Sequence, residues 1–220
     1  HLETLKITLS NALETLALRR EVRALQERCV RENLPCSVGE SHVLQDVIDI
    51  VSRAAQSPDA TVLITGESGT GKELLARAVH FKSPNHKGPF VSLNCAALPA
   101  ELIESELFGY APGAFSGARA SGKIGLIQEA EGGTLFLDEV GDLSPEGQAK
   151  LLRFLQSGEY YQVGDTRLRH ARVRLVAATN QDPEALMAER RLRPDLFYRL
   201  AVIRIQTPSL RQRPEDVLPI

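Results

Sequence analysis

Cysteine is scarce in this sequence, with three in 220 residues (Cys29, Cys36 and Cys95). Their spacing matches no metal-binding pattern and the odd count argues against a disulfide framework, so the expectation is a reducing, cytoplasmic setting. Charge of either sign is not in excess. Lys and Arg number 26 against 28 Asp and Glu, a net charge of −2, which gives no electrostatic footprint for nucleic acid over the chain as a whole. No apolar run approaches the roughly 18 residues of a membrane span, and no signal peptide is visible. Internal repeats and low-complexity tracts are lacking too. The chain starts at His1 without an initiator Met and stops at Ile220 just after a charged segment, so the expectation is a piece of a longer protein.

What is present suits a soluble globular core: 43% hydrophobic and 25% charged residues, enough for one large domain or two small ones. Over the first 30 residues Leu2, Leu5, Leu9, Leu13 and Leu16 recur at helical spacing, then Leu18, Val22, Leu25 and Cys29 begin a second stripe out of phase with the first. Two arrangements satisfy this pattern: a helix that passes into a short coiled coil, with dimerisation through it, or one amphipathic helix lying on the main domain. RENLPCSVGE (31–40), with Pro35 and Gly39, reads as a linker. The expected division is therefore 1–35 as N-terminal linker helix or helices and 36–220 as an α/β unit.

Within that unit a helix is expected over about 41–56. TVLIT (61–65), FVSLN (90–94), TLFLD (134–138), VRLVAA (173–178) and VIRIQ (202–206) read as five buried strands separated by helical segments. That alternation predicts a parallel sheet of about five strands sandwiched by helices.

GESGTGKE (66–73) lies between the first strand and a helix starting at Lys72. Gly66, Gly69 and Gly71 let successive N–H groups of the loop, which also holds Glu67, Ser68 and Thr70, converge on a phosphate. The helix N-terminus adds positive charge, and Lys72 reaches the β- and γ-phosphates. Glu73 stands where such loops usually place a Ser or Thr hydroxyl for Mg²⁺; either it serves the ion through a water or the loop binds without metal. GGTLFLDE (132–139) delivers Asp138 to the carboxyl end of a strand, where open α/β sheets bind ligands. Asp138 is the candidate for Mg²⁺, directly or through water, and Glu139 the candidate for polarising an attacking water. FVSLN lies between these motifs in the chain, so it is expected as a strand inserted between the two nucleotide strands, with Asn94 at its end meeting Glu139. Thr179 and Asn180 close another buried strand and could sense a γ-phosphate. Arg193 and Arg199 could stabilise charge on a transferring phosphoryl group from a neighbouring subunit, or simply be surface residues on a solvated helix. Pro194 biases Arg193 away from helical backbone geometry.

A glycine-rich stretch, ELFGYAPGAFSGARASG (106–122), carries one aromatic ring, Phe115, in its middle. Loops run over the surface, so that ring either plugs into the body or is offered to a partner.

Together these motifs resemble the central AAA+ domain of the bacterial enhancer-binding proteins, NtrC-like activators of sigma-54 RNA polymerase. The resemblance covers about residues 37–218 and rests on GESGTGKE, LNCAAL (93–98), ESELFGY (104–110), GGTLFLDE, AATN, RPDLFYRL and PSLRQRPED (208–216) in family order. GAFSGA (Gly113, Ala114, Phe115, Ser116, Gly117, Ala118) is similar to that family's GAFTGA loop, with Ser116 in place of Thr. What the resemblance implies is an ATP hydrolase using ATP and Mg²⁺. Glu73 belongs to the family's own loop, Asn94 switches Glu139 between poses, Thr179 and Asn180 form the first sensor, and Arg193 and Arg199 act in trans. It further implies a hexameric or heptameric ring, sigma-54 contact through residues 113–118, no membrane, and DNA binding through a C-terminal domain absent from this chain, which also stops before or at the start of the helical lid. The N-terminal segment is similar to the end of a response-regulator receiver domain running into a linker helix, which implies a two-component regulator. Two alternatives stay open: a nucleotide-gated interaction module with little turnover, and an AAA+ remodeller of another client.

Overall fold

The computed structural model describes residues 41–216, apart from Gly117 and the side chain of Glu101. The N-terminal leucine stripes, the 31–40 linker, Cys29, Cys36 and residues 217–220 lie outside the described residues.

Helix α1 (His42–Ala55) opens the unit, burying Leu44, Val47, Val51, Ala54 and Ala55 along one face. β1 (Val62–Thr65) leads through the glycine loop into α2 (Lys72–Phe81). β2 (Phe90–Asn94) is followed by α3 (Ala100–Phe108), which continues directly into β3 (Gly109–Tyr110). β3 pairs antiparallel with β4 (Lys123–Ile124), so residues 111–122 are the loop of a small hairpin. Next come α4 (Leu126–Glu129), β5 (Thr134–Asp138) and α5 (Pro145–Ser157). Ser144 caps α5 by accepting from the Gly147 N–H at 3.1 Å, Pro145 occupies its first turn, and Gly158 ends it in the left-handed region at φ 71°. A second hairpin, β6 (Glu159–Tyr160) with β7 (Arg169–His170), precedes β8 (Arg174–Thr179), α6 (Pro183–Ala188), α7 (Pro194–Leu200) and β9 (Ile203–Gln206).

β1, β2, β5, β8 and β9 form one parallel sheet in the order β2-β5-β8-β1-β9. The expectation of a five-stranded parallel sheet holds, but the order corrects one detail. The strand between β1 and β5 is β8, and β2 lies outermost. Burial explains this: every residue of β8 is buried, whereas β2 buries Leu93 alone, and the most apolar strand takes the centre. Side chains alternate across the sheet. Leu135, Leu137, Leu175 and Ala177 pack into one cluster with Ile103, Leu107, Leu151, Phe154, Leu196 and Leu200; Phe136, Val176 and Ala178 pack on the other face with residues of α1 and α2. Phe136 is 2% exposed and stacks on Phe90 with ring centroids 6.1 Å apart. Phe136→Ala is expected to cost about 3–5 kcal/mol, read as a lower urea midpoint at unchanged slope. Among the described residues no helix is long and apolar enough to cross a membrane.

Candidate functional site

The carboxyl ends of β1, β5 and β8 converge, and the sequence-predicted residues of the nucleotide site converge with them. Leaving β1, the chain turns at Gly66, where a Cβ would stand 1.7 Å from Thr207 Oγ1, so no side chain fits. Thr207 follows β9 and presses on the loop from its edge: its hydroxyl lies 2.8 Å from that of Thr70, which donates to Glu67 O at 2.7 Å. Glu67, Ser68 and Gly69 form the exposed crest. Gly71 precedes α2 at φ 90° with no side-chain cap, so the first turn presents its N–H groups and the positive end of the helix to an anion. Lys72 is buried and donates from Nζ to Gly66 O at 3.0 Å and Glu67 O at 3.2 Å. Glu73, exposed in the first turn of α2, pairs with Arg77 at 2.7 Å.

Asp138 ends β5 directly opposite Asn94 of β2. The Asn94 amide therefore reaches Asp138, with Nδ2 3.4 Å from Oδ2, and not Glu139 as the sequence suggested. Glu139 adopts the left-handed conformation, φ 53° and ψ 53°, which turns its carboxylate toward β8. There Oε2 accepts from the Asn180 N–H at 2.9 Å, while Oε1 stands 3.9 Å from Lys72 Nζ. A non-glycine residue held in that region costs about 1–3 kcal/mol, and such residues cluster at functional sites. Thr179 is fully buried, and its hydroxyl accepts from the Gln181 N–H at 3.1 Å. Beneath the carboxylates, burial together with the negative charges of Asp142, Asp138 and Glu139 pushes the Cys95 thiol up to about 12. Cys95 thus stays protonated at neutral pH and is not a nucleophile.

The two arginines of α7 do not join this cluster. Arg193 is the N-cap of α7 with extended backbone (φ −69°, ψ 131°), the geometry expected ahead of Pro194. Its guanidinium closes on Asp195 through bonds of 3.0 and 2.8 Å. Those hydrogen bonds hold the Asp195 carboxyl below the usual carboxylate range. Arg199 donates to Leu155 O at 3.2 and 2.9 Å, and its own carbonyl accepts from Thr61 Oγ1 at 2.6 Å. Thr61 precedes β1, so Arg199 sits at the amino end of the sheet, across the length of β1 from Lys72.

Phe115 lies in the 111–122 loop at 42% exposure, one edge resting on Tyr110 with centroids 5.0 Å apart. It is half docked and half offered. The base of the loop is fixed: Ala111 N donates to Val163 O at 2.9 Å, Gln162 bonds Lys123 O at 3.3 Å, and Lys123 pairs with Glu106. A Cβ on Gly164 would crowd Ala114 at 2.6 Å, so the second hairpin supports the loop closely. Toward the tip, Gly113 has φ 73° and open space around it; Ser116 is exposed, and Ala118 N donates to Phe115 O at 3.0 Å. Gly117 lies outside the described residues.

Sequence reasoning missed Thr207 and Gln148. Gln148 is 2% exposed and makes three bonds, two to the segment leading into α7 and one to the residue ahead of its own helix cap: Nε2 to Arg191 O (2.6 Å), Oε1 from Arg193 N (2.9 Å), and Nε2 to Leu143 O (3.0 Å). A signal for it exists, because Gln148 falls on the same helical stripe as Leu151 and Phe154.

As a chemical environment, an uncapped helix start with a lysine beside it suits phosphate, and strand-end carboxylates suit a cation bound to that phosphate. Among the described residues no three His, Cys, Asp or Glu side chains gather as a metal site. Mg²⁺ fits such a place, since it characteristically takes one or two carboxylates together with substrate phosphates.

Comparison with known proteins agrees with this geometry. The chain is 51% identical over 200 residues to the Nif-specific regulatory protein of Azotobacter vinelandii, covering 91% of this chain and 37% of that protein. It is 47% identical over 208 residues to the DNA-binding transcriptional regulator NtrC of Escherichia coli K12, covering 94% and 44%. The structure of NtrX from Brucella abortus in complex with ADP superposes with a TM-score of 0.77 at 37% identity, covering 99% of this chain and 47% of that one. The chain thus spans less than half the length of the curated relatives it matches. Residues 37–206 match the Sigma-54 interaction domain, and this chain belongs to that family of AAA+ P-loop domains of sigma-54-dependent activators.

Proposed function

We propose that this unit binds ATP with Mg²⁺ and hydrolyses it between subunits of a ring, using the cycle to move residues 113–118 against sigma-54. The observation that carries the reading is the meeting of Lys72, Glu139 and the Asn180 amide at the mouth of the glycine loop. Lys72 exchanges its two carbonyl partners for phosphate oxygens. Mg²⁺, held by Asp138, would neutralise charge on the phosphoryl oxygens. Glu139 orients and polarises a water; in the present pose it is held by the Asn180 N–H, so Asn180 reports on its position. Asn94, through Asp138, sets where the carboxylates lie.

Arg199 supports assembly in trans. β1 spans about 13 Å, more than an arginine side chain reaches, so Arg199 can serve a phosphate only on another copy. A hexameric or heptameric ring is the arrangement in which each copy gives and receives such a residue, with the N-terminal segment 1–35 as linker. Promoter DNA binding is proposed for segments other than the α/β unit, since the near-balanced charge of the chain as a whole gives no nucleic-acid footprint.

The half-docked ring makes the loop testable. Phe115→Ala is expected to leave ATP turnover within about twofold and to abolish nucleotide-dependent capture of sigma-54, because the substitution removes apolar contact area at the tip and touches nothing in the phosphate site. Capture is measured with ADP and a metal fluoride that mimics the transferring phosphoryl group. Undiminished capture by the variant would remove the loop from the interface, and no capture by the parent chain despite steady ATP turnover would leave a generic AAA+ ATPase.

A further inference from the structure

We propose that Gln148 is a positioning residue for Arg193, acting on the site that this chain completes in a neighbouring copy. The inference rests on the proposed trans role of the α7 arginines.

Arg193 is reached through an awkward piece of backbone. α6 ends near Ala188; Arg190 then takes φ 60°, in the left-handed region and without being glycine. Arg191 N and Leu192 N both donate to Leu186 O, at 2.9 and 3.1 Å, and Leu192 plugs into the core at 2% exposure. The turn therefore comes back on itself before α7 starts. Gln148 closes it. Its carboxamide has two N–H donors and one carbonyl, and all are used: Leu143 O and Arg191 O accept, and the Arg193 N–H donates. The flipped amide would set its oxygen against two carbonyls, so this orientation is dictated by the partners. A buried amide with both N–H groups and its carbonyl engaged is a rigid clamp, and losing one partner leaves polar groups stranded.

The clamp fixes the Cα of Arg193 and the direction in which its side chain departs. α5 holds the other arginine as well. Gln148 lies in its first turns, while Leu155, seven residues on, offers the carbonyl that receives Arg199. Both candidate trans groups thus rest on one helix, two turns apart. The turn is also tied to the chain's own site: Arg191 donates to Gln181 Oε1 at 2.7 Å and to Asp142 Oδ1 at 3.1 Å, residues that follow Asn180 and Glu139 respectively. A displaced clamp would re-aim Arg193 by about an ångström, and misplacement on that scale costs up to about a hundredfold in rate.

The test uses the whole chain with Gln148→Leu, and with Gln148→Asn, which keeps the amide and shortens its reach, in case the first does not fold. Thermal unfolding and ADP affinity serve as controls. The expected result is a kcat lowered about 10- to 100-fold for the leucine variant and less for asparagine, with ADP affinity and the KM for ATP within about twofold. Mixing supplies a readout that general damage would not give. A Lys72→Ala chain has a defective phosphate loop and intact arginines, whereas a Gln148 variant has the reverse. Mixed rings contain interfaces that join an intact loop to an intact arginine, so the mixture is expected to exceed the summed activity of the two separate variants severalfold. A folded Gln148 variant with wild-type kcat overturns the inference, as does a lowered kcat that mixing does not raise. Should Arg193→Ala itself turn over normally, the trans reading fails, and the inference falls with it.

Discussion

Glu139→Gln is expected to bind ATP as tightly as the parent chain and to hydrolyse it at least a hundredfold more slowly, the range for losing a positioned general base. The substitution nearly preserves size, and the glutamine carbonyl can still accept from the Asn180 N–H that Glu139 meets at 2.9 Å. What disappears is the negative charge at the mouth of the loop, 3.9 Å from Lys72. Binding depends on the loop, the start of α2 and Lys72, none of which the change removes; the chemical step depends on drawing a proton from water. The left-handed backbone of Glu139 does not depend on the side-chain charge, since its carbonyl still accepts from Asp142 N at 3.0 Å. Phosphate release at saturating ATP, measured beside ADP and ATP dissociation constants, separates the two quantities. Equal turnover in the variant would remove Glu139 from the reaction. A proportional loss of affinity would instead make it a ground-state binding group.

Much of this site was legible because its motifs are local. A phosphate loop is a contiguous run of eight residues, and its function follows from glycine positions and the helix start at Lys72, both read directly off the chain. TLFLD and VRLVAA declared themselves as strands because central parallel strands are buried on both faces, which here leaves the apolar runs LFL and LVAA, with the polar or charged residues Thr134, Asp138 and Arg174 near their ends. Sheet order was not legible in the same way. FVSLN and VRLVAA are both apolar, and which of them separates β1 from β5 depends on burial of whole strands. The partner of Asn94 followed from that register: Asp138 lies opposite it, and the left-handed turn at Glu139 carries the next carboxylate away. The two-residue strands of the small hairpins carry too little pattern to be seen, although they decide how Phe115 is presented. Gln148 and Thr207 were hidden for another reason. Each acts on residues more than 40 positions away, and a polar residue within a helix or after a strand ordinarily signals solvent.

Arg199→Ala should abolish turnover by about a thousandfold or more, the range for removing an arginine finger, while nucleotide binding persists. The structure constrains how it could act. Its carbonyl is fixed by Thr61 at the amino end of β1 and its guanidinium rests on Leu155 O, near the carboxyl end of α5. Resting there, it caps an otherwise unpaired helix carbonyl, a role that would make it merely structural. The two roles differ in what they predict. A capping arginine replaced by alanine loosens α5 and lowers the melting temperature by a few degrees, without making turnover depend on protein concentration. An arginine that leaves the cap to meet a neighbour's phosphate makes wild-type turnover rise more steeply than linearly with concentration, and Arg199→Ala flattens that rise. Arg199→Lys divides them further. Lysine can still donate to Leu155 O, so it preserves the cap, but its single ammonium cannot make the forked contact that guanidinium offers to phosphoryl oxygens. A lysine variant with parental stability and alanine-like turnover would assign Arg199 to the neighbour's site, and parental turnover would assign it to α5.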